Sequence, residues 1–193
     1  MLTRRLSSLL TVLLSVPLLA LCGCGGSPGA TLESYDPPTA AAKAIEIYDS
    51  NSDGKLGPEE LKKSPALLAS FRRLDTNRDG ALIADEIQAR LEEQNRWAKF
   101  LALDLAITTR GRPLVGAKLT LTPEPFMGVG YPTLTGTTVE DGGCPLDAGG
   151  RDIPGVPTGF YTVQVVHPGQ SIDAVRGVEI AEDTTGSRLQ IAL

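Results

Sequence analysis

Two twelve-residue stretches place oxygen-bearing side chains at the intervals that a hard cation needs. Residues 49–60 read Asp49-Ser50-Asn51-Ser52-Asp53-Gly54-Lys55-Leu56-Gly57-Pro58-Glu59-Glu60, and residues 75–86 read Asp75-Thr76-Asn77-Arg78-Asp79-Gly80-Ala81-Leu82-Ile83-Ala84-Asp85-Glu86. Both satisfy D-x-[DN]-x-[DN]-G-x5-E. At average residue usage one chance match has odds on the order of one in a hundred thousand per starting position. Two in close succession are not a coincidence. Calcium takes six to eight oxygens at about 2.3–2.6 Å, drawn from loop positions 1, 3, 5, 7 and 12. Positions 1, 3 and 5 are Asp49, Asn51 and Asp53 in the first loop and Asp75, Asn77 and Asp79 in the second. Gly54 and Gly80 stand where the chain must turn sharply. Position 7 supplies only a backbone carbonyl, so Lys55 and Ala81 both suit it. Glu60 and Glu86 close each shell with two oxygens. Gly57 and Ile83, at position 9, have no side-chain oxygen, so water is expected to fill that place. The pattern predicts two calcium ions.

The residues around the loops predict the helices that hold them. Asp36-Pro37 reads as an N-cap with proline in the first turn, and Ala41, Ala44, Ile45 and Tyr48 follow at helical spacing. Pro58 opens a short exit helix, and Ser64-Pro65 ends it and starts another. Leu67, Leu68, Phe71 and Leu74 form the stripe that enters the second loop, and Ile87 and Leu91 begin the stripe of a last helix expected to reach about Phe100. The arrangement resembles an EF-hand pair. That resemblance implies that Leu56 and Leu82 lie in a short strand joining the loops. Only residues 61–74 separate the loops, fewer than is usual in such pairs, so a constitutive calcium site is favoured over a switch.

The amino end reads as an address. Met1-Leu2-Thr3-Arg4-Arg5 is a positive start, and Leu6 to Leu21 is mostly apolar but short and interrupted by serine, threonine and proline. It is followed by Leu19-Ala20-Leu21-Cys22-Gly23-Cys24-Gly25-Gly26, which resembles a bacterial lipobox with Leu21 and Gly23 in the expected places before Cys24. The expectation is a signal peptide over 1–23, lipid on Cys24 and a flexible tether over 24–36. This puts the protein outside the cytoplasm, lipid-anchored in the cell envelope on a periplasmic or outer-membrane face. Without Arg4 and Arg5 the chain keeps 16 basic residues against 23 acidic ones, a net charge of −7. No basic patch suits nucleic acid. Cys144 then stands alone in the turn-like Glu140-Asp141-Gly142-Gly143-Cys144-Pro145 and reads as an incidental half-buried thiol.

Beyond Phe100 the composition turns to glycine, proline, threonine and valine. Strands are predicted at Leu101–Thr109, Leu114–Thr122, Pro132–Val139, Gly159–His167, Val175–Ala181 and Arg188–Leu193, with a hairpin at Arg110-Gly111-Arg112-Pro113. The fold class expected is α + β in separate domains, with an all-α pair over 37–100 and an antiparallel β-sandwich over 101–193. Gly111-Arg112-Pro113-Leu114-Val115-Gly116-Ala117-Lys118-Leu119 and Pro157-Thr158-Gly159-Phe160-Tyr161-Thr162-Val163 resemble motifs of carboxypeptidase-regulatory-like domains. That resemblance implies a transthyretin-like sandwich. The inserted Pro123-Glu124-Pro125-Phe126-Met127 departs from the pattern. The whole order resembles a group of exported EF-hand lipoproteins of planctomycete-type bacteria, which implies no known catalytic activity.

No enzyme is expected. His167 is the one histidine, beside Pro168, and reads as an exposed loop residue. No phosphate loop or G-x-S-x-G is present. The readings left are a membrane-tethered binding module for an envelope protein or glycan, a purely structural lipoprotein stapled by calcium, and, more weakly, a sensor. Phe126, Tyr131, Phe160 and Tyr161 are the aromatics of the second half that a glycan or protein rim would need.

Overall fold

The helix signals near the loops act as the sequence predicts. In a computed structural model, which describes residues 35–96, 99–150, 155–185 and 188–193, Asp36 caps α1 (Pro37–Tyr48) by accepting from the Thr39 amide at 3.2 Å. Pro58 starts α2 (Pro58–Leu61), and Ser64 caps α3 (Pro65–Leu74). The last long helix, α4 (Ala84–Arg96), ends earlier than the Phe100 expected. Phe100 instead opens β1 (Phe100–Leu101), which pairs antiparallel with β7 (Val156–Pro157). The stripe of α3 also differs. Leu67 and Leu74 are buried but Leu68 is 43 % exposed, because α3 turns Ala66 and Ser70 inward instead.

The β region is built from β2 (Asp104–Thr109), β3 (Arg112–Pro113), β4 (Lys118–Pro123), β5 (Leu134–Thr137), β6 (Leu146–Asp147), β8 (Gly159–His167), β9 (Ile172–Ile180) and β10 (Arg188–Ala192), with α5 (Glu182–Thr185) between the last two. Its main sheet has the order β6-β5-β4-β8-β9, and a three-stranded sheet has the order β10-β2-β3. Arg110 and Gly111 both have positive φ, 50° and 74°, which is what a two-residue hairpin turn between β2 and β3 requires. The strands predicted at 101–109 and 114–122 are shorter in the structure. Gly116 turns at φ 78° before β4 begins. One pair departs from the antiparallel expectation, since β10 runs parallel to β2.

Alternation along β8 sets the layers. Tyr161, Val163 and Val165 point into a core shared with Leu105, Ile107, Leu119, Leu121 and Ile191, which lies between the two sheets. Phe160 points the other way, into a second core with Ala41, Ala44, Tyr48, Leu67, Leu74, Ile87 and Leu91 of the helices. The order is therefore helices, five-stranded sheet, three-stranded sheet, and the helical and β regions share a core.

The insertion after β4 makes this join. Phe126 and Met127 lie in a short 3₁₀ turn and enter the helical core with Phe160. Burying each phenylalanine contributes about 1.5–3 kcal/mol. Beside them Glu124, 3 % exposed, accepts from Tyr48 Oη at 2.5 Å, the Ala66 amide at 3.3 Å and Thr162 Oγ1 at 3.0 Å. One carboxylate thus ties α1, the first turn of α3 and β8 together.

Candidate metal centre

Asp49 ends α1, its own amide still bonded to Ile45 O, so the first loop leaves the helix with its leading carboxylate in place. That carboxylate accepts from the Gly54 amide at 2.9 Å and the Ser52 amide at 2.7 Å. Asn51 Oδ1 accepts from the Asp53 amide at 2.9 Å, and Asp53 Oδ1 from the Lys55 amide at 2.9 Å. Glu60 reaches back from α2 to the Ser50 amide at 2.7 Å, the Asn51 amide at 3.3 Å and the Gly57 amide at 2.9 Å. The loop curls because Asp49, Asn51 and Asp53 each hold an N–H a few residues further on, while Glu60 closes it by holding amides that precede it.

The second loop repeats the scheme. Asp75 accepts from the Gly80 amide at 3.1 Å and the Asp79 amide at 3.1 Å, Asn77 from the Asp79 amide at 2.7 Å, and Asp79 from the Ala81 amide at 3.0 Å. Glu86, from α4, holds the amides of Thr76, Asn77 and Ile83 at 3.0, 3.2 and 3.2 Å. Gly54 and Gly80 turn at φ 81° and 87° as predicted. Sequence reading missed that the fourth loop residues, Ser52 and Arg78, are also left-handed, at φ 61° and 62°. No side-chain type signals this, since serine and arginine have no such preference.

The loops are fastened back to back. Leu56 and Leu82, both fully buried, exchange backbone hydrogen bonds of 2.8 and 3.0 Å, as expected of the joined pair. Donated N–H groups dominate the electrostatics. The Gly54 amide, followed by those of Ser52, Asp53 and Asn51, holds the Asp49 carboxyl below the usual range. Lys55, whose ammonium lies 3.0 Å from Asp79 Oδ2, lowers the Asp79 carboxyl and is itself raised.

Among the described residues, no three Asp, Glu, His or Cys side chains converge closely enough to hold a metal by themselves. The loop carboxylates face their own backbone amides instead. The donor set fits calcium nevertheless. It is all oxygen, with no sulfur or imidazole, and each loop mixes three carboxylates with an amide oxygen and a backbone carbonyl.

A family model described as EF hand matches residues 42–63 and 68–91. Residues 42–91 contain an EF-hand region. Such a region points to calcium binding. Neither a curated protein nor a solved structure matches the chain.

Outside the EF-hand region, the other residues singled out in the sequence take varied places. Cys24 and the apolar run from Leu6 to Leu21 lie outside the described residues. Among the described residues no helix is long and apolar enough to cross a membrane. His167 is not a free loop residue. It is half-buried as the last residue of β8, with Nε2 2.9 Å from Val115 O and Nδ1 accepting from the Gln170 amide at 3.1 Å. Phe126, Phe160 and Tyr161 are buried and Tyr131 is half-buried, so these four make no exposed aromatic rim.

Cys144 is buried against the core between the sheets, and burial pushes its thiol up to about 11. Its thiolate fraction near pH 8 is therefore on the order of a thousandth, against roughly a quarter for an unperturbed thiol. Alkylation of the folded protein, followed by peptide mapping, is expected to leave Cys144 unlabelled at pH 8 while labelling it fully in urea. Equal labelling in both conditions would contradict the buried placement.

Proposed function

We propose that this chain is a calcium-binding, lipid-anchored envelope protein that acts without catalysis. The observation that carries the reading is the doubled loop scheme, in which the first residue holds the amide of the sixth and the fifth that of the seventh in both loops, on an all-oxygen donor set. Asp49, Asn51, Asp53, the Lys55 carbonyl and Glu60 would hold one ion. Asp75, Asn77, Asp79, the Ala81 carbonyl and Glu86 would hold the second. Bound calcium supplies positive charge that offsets the mutual repulsion of each loop's carboxylates. An ion that binds only the folded loops stabilises the chain by about 2.7 kcal/mol when present at a hundredfold its dissociation constant.

The site reads as constitutive rather than as a switch. The groove that a sensor's helices would open is already filled in cis by Phe126, Met127 and Phe160. The positive start, apolar run and lipobox-like Leu21-Cys22-Gly23-Cys24 support export and anchoring through Cys24. A partner at the envelope, protein or glycan, is the first reading of the role. The burial of Phe126, Phe160 and Tyr161 favours the second, a structural lipoprotein in which calcium staples the fold.

Calorimetric titration of the chain with calcium is expected to give two ions per molecule. Glu60→Gln and Glu86→Gln should each remove one of them. The same heat of binding in the double variant as in the parent would end the assignment. Mass spectrometry of membrane-extracted protein should find acyl chains on Cys24, and an unmodified residue 24 would remove the anchor.

A further inference from the structure

The EF-hand loops are alike in their backbone but not in their surroundings. Lys55, at the seventh position of the first loop, puts its ammonium 3.0 Å from Oδ2 of Asp79, a ligand-position carboxylate of the second loop. The cause is the register of the pair. The bridge between Leu56 and Leu82 fixes the backbone next to Lys55 alongside the second loop. The lysine stem then spans the gap. The second loop cannot reciprocate, because its seventh residue is Ala81. Lys63 is bonded to Ser50 Oγ, which is not a ligand position. Among the described residues, no other ion pair involves a ligand-position carboxylate of either loop.

We propose that the Lys55 side chain makes the two calcium sites unequal, weakening the second loop so that the first fills before it. This rests on the reading that both loops bind calcium. Two effects act in the same direction. Asp79 must give up its lysine to face an ion, and an exposed pair of this kind is worth up to about fivefold. The ammonium then stays close to a double positive charge, and Coulomb repulsion across a water-like dielectric adds up to about tenfold at low ionic strength. Asp53 and Glu86 also feel the lysine, but the hydrogen bond goes to Asp79. The larger share therefore falls on the second loop. In the first loop the residue contributes only its carbonyl, so its side chain is free to act on the neighbour. Toward the second ion the Lys55 side chain is a positioning group, setting the charge and orientation of Asp79 without touching that ion.

The test is calorimetric titration with calcium alone, at low ionic strength, in the full chain. In a Glu60→Gln background that leaves only the second loop, Lys55→Gln is expected to tighten binding about five- to tenfold. Lys55→Arg should stay within about twofold of the parent, and the gain should shrink towards unity near 1 M potassium chloride, where the Debye length is about 3 Å. If Glu60→Gln does not fold, the same shift is expected in the weaker of the two steps of the otherwise intact chain. A dissociation constant unchanged by Lys55→Gln, with two ions still bound, would overturn this inference and leave the calcium reading standing. Equal tightening by Lys55→Arg would also overturn it. No calcium uptake by the parent chain would remove the calcium reading and this inference together.

Discussion

Gly177→Val is expected to lower the stability of the whole chain by about 3 kcal/mol or more, seen as a large drop in the urea midpoint. Gly177 lies in β9 where α3 begins against the sheet. A side-chain carbon there would fall 1.7 Å from Pro65 O and 2.3 Å from the Ala66 amide nitrogen. These are backbone atoms and cannot swing aside. Either α3 lifts off the sheet or β9 bends away from β8. Lifting α3 also takes the Ala66 amide from Glu124 and opens the core around Phe126 and Phe160. Serine at 177 should behave like valine, because the obstacle is the first carbon and not its substituents. A midpoint unchanged by either substitution would show that the helical layer does not rest on β9 at all.

Arg90→Ala is the second large effect, expected at about 3–5 kcal/mol. Arg90 and Glu179 are almost fully buried, with side chains 6 % and 4 % exposed, and Arg90 Nε lies 2.5 Å from Glu179 Oε1. The same guanidinium holds Asp183 at 2.7 Å and Glu93 at 2.6 Å, and Gln94 adds a bond of 2.7 Å to Glu179. Burial by itself would pull the guanidinium down, but Asp183, Glu179 and Glu93 hold it above its usual value. The cluster ties α4 to β9 and α5. Without Arg90, Glu179 keeps Gln94 and an Arg73 nitrogen 4.0 Å away, too little to offset a buried charge. Arg90→Met with Glu179→Leu removes both charges and should recover most of the loss. In the parent, helical and tyrosine signals are expected to melt in one transition, because one ion cluster and one apolar core span the join. A double variant no more stable than Arg90→Ala, or two separate transitions, would contradict this.

The loops were the most legible part of the chain, since their function is written in local spacing. Gly54 and Gly80 sit where a left-handed residue is needed, and Asp36, Ser64, Pro37, Pro58 and Pro65 mark helix starts through contacts within a few residues. The Arg110-Gly111 hairpin and the alternation of β8 were readable for the same reason. What went astray depends on distant partners. Leu68 fits the helical stripe, yet it is outside because the sheet meets α3 along Ala66, Leu67 and Ser70. Phe100 continued an apparent helix, yet it pairs with Pro157, far along the chain. The four aromatics looked available for a partner because composition does not say which face of a strand is covered.

Sequence alone determined the two oxygen-rich loops, the helices that carry them and the change to strands after them, because each follows from interactions over three to twelve residues. Only the tertiary structure decided that the helices lie on the five-stranded sheet, that Glu124 and Arg90 are buried at the join, and that Lys55 faces Asp79. Those contacts link residues 24 to 89 positions apart. No local preference fixes them, and they appear only when apolar faces with no other cover are packed against each other.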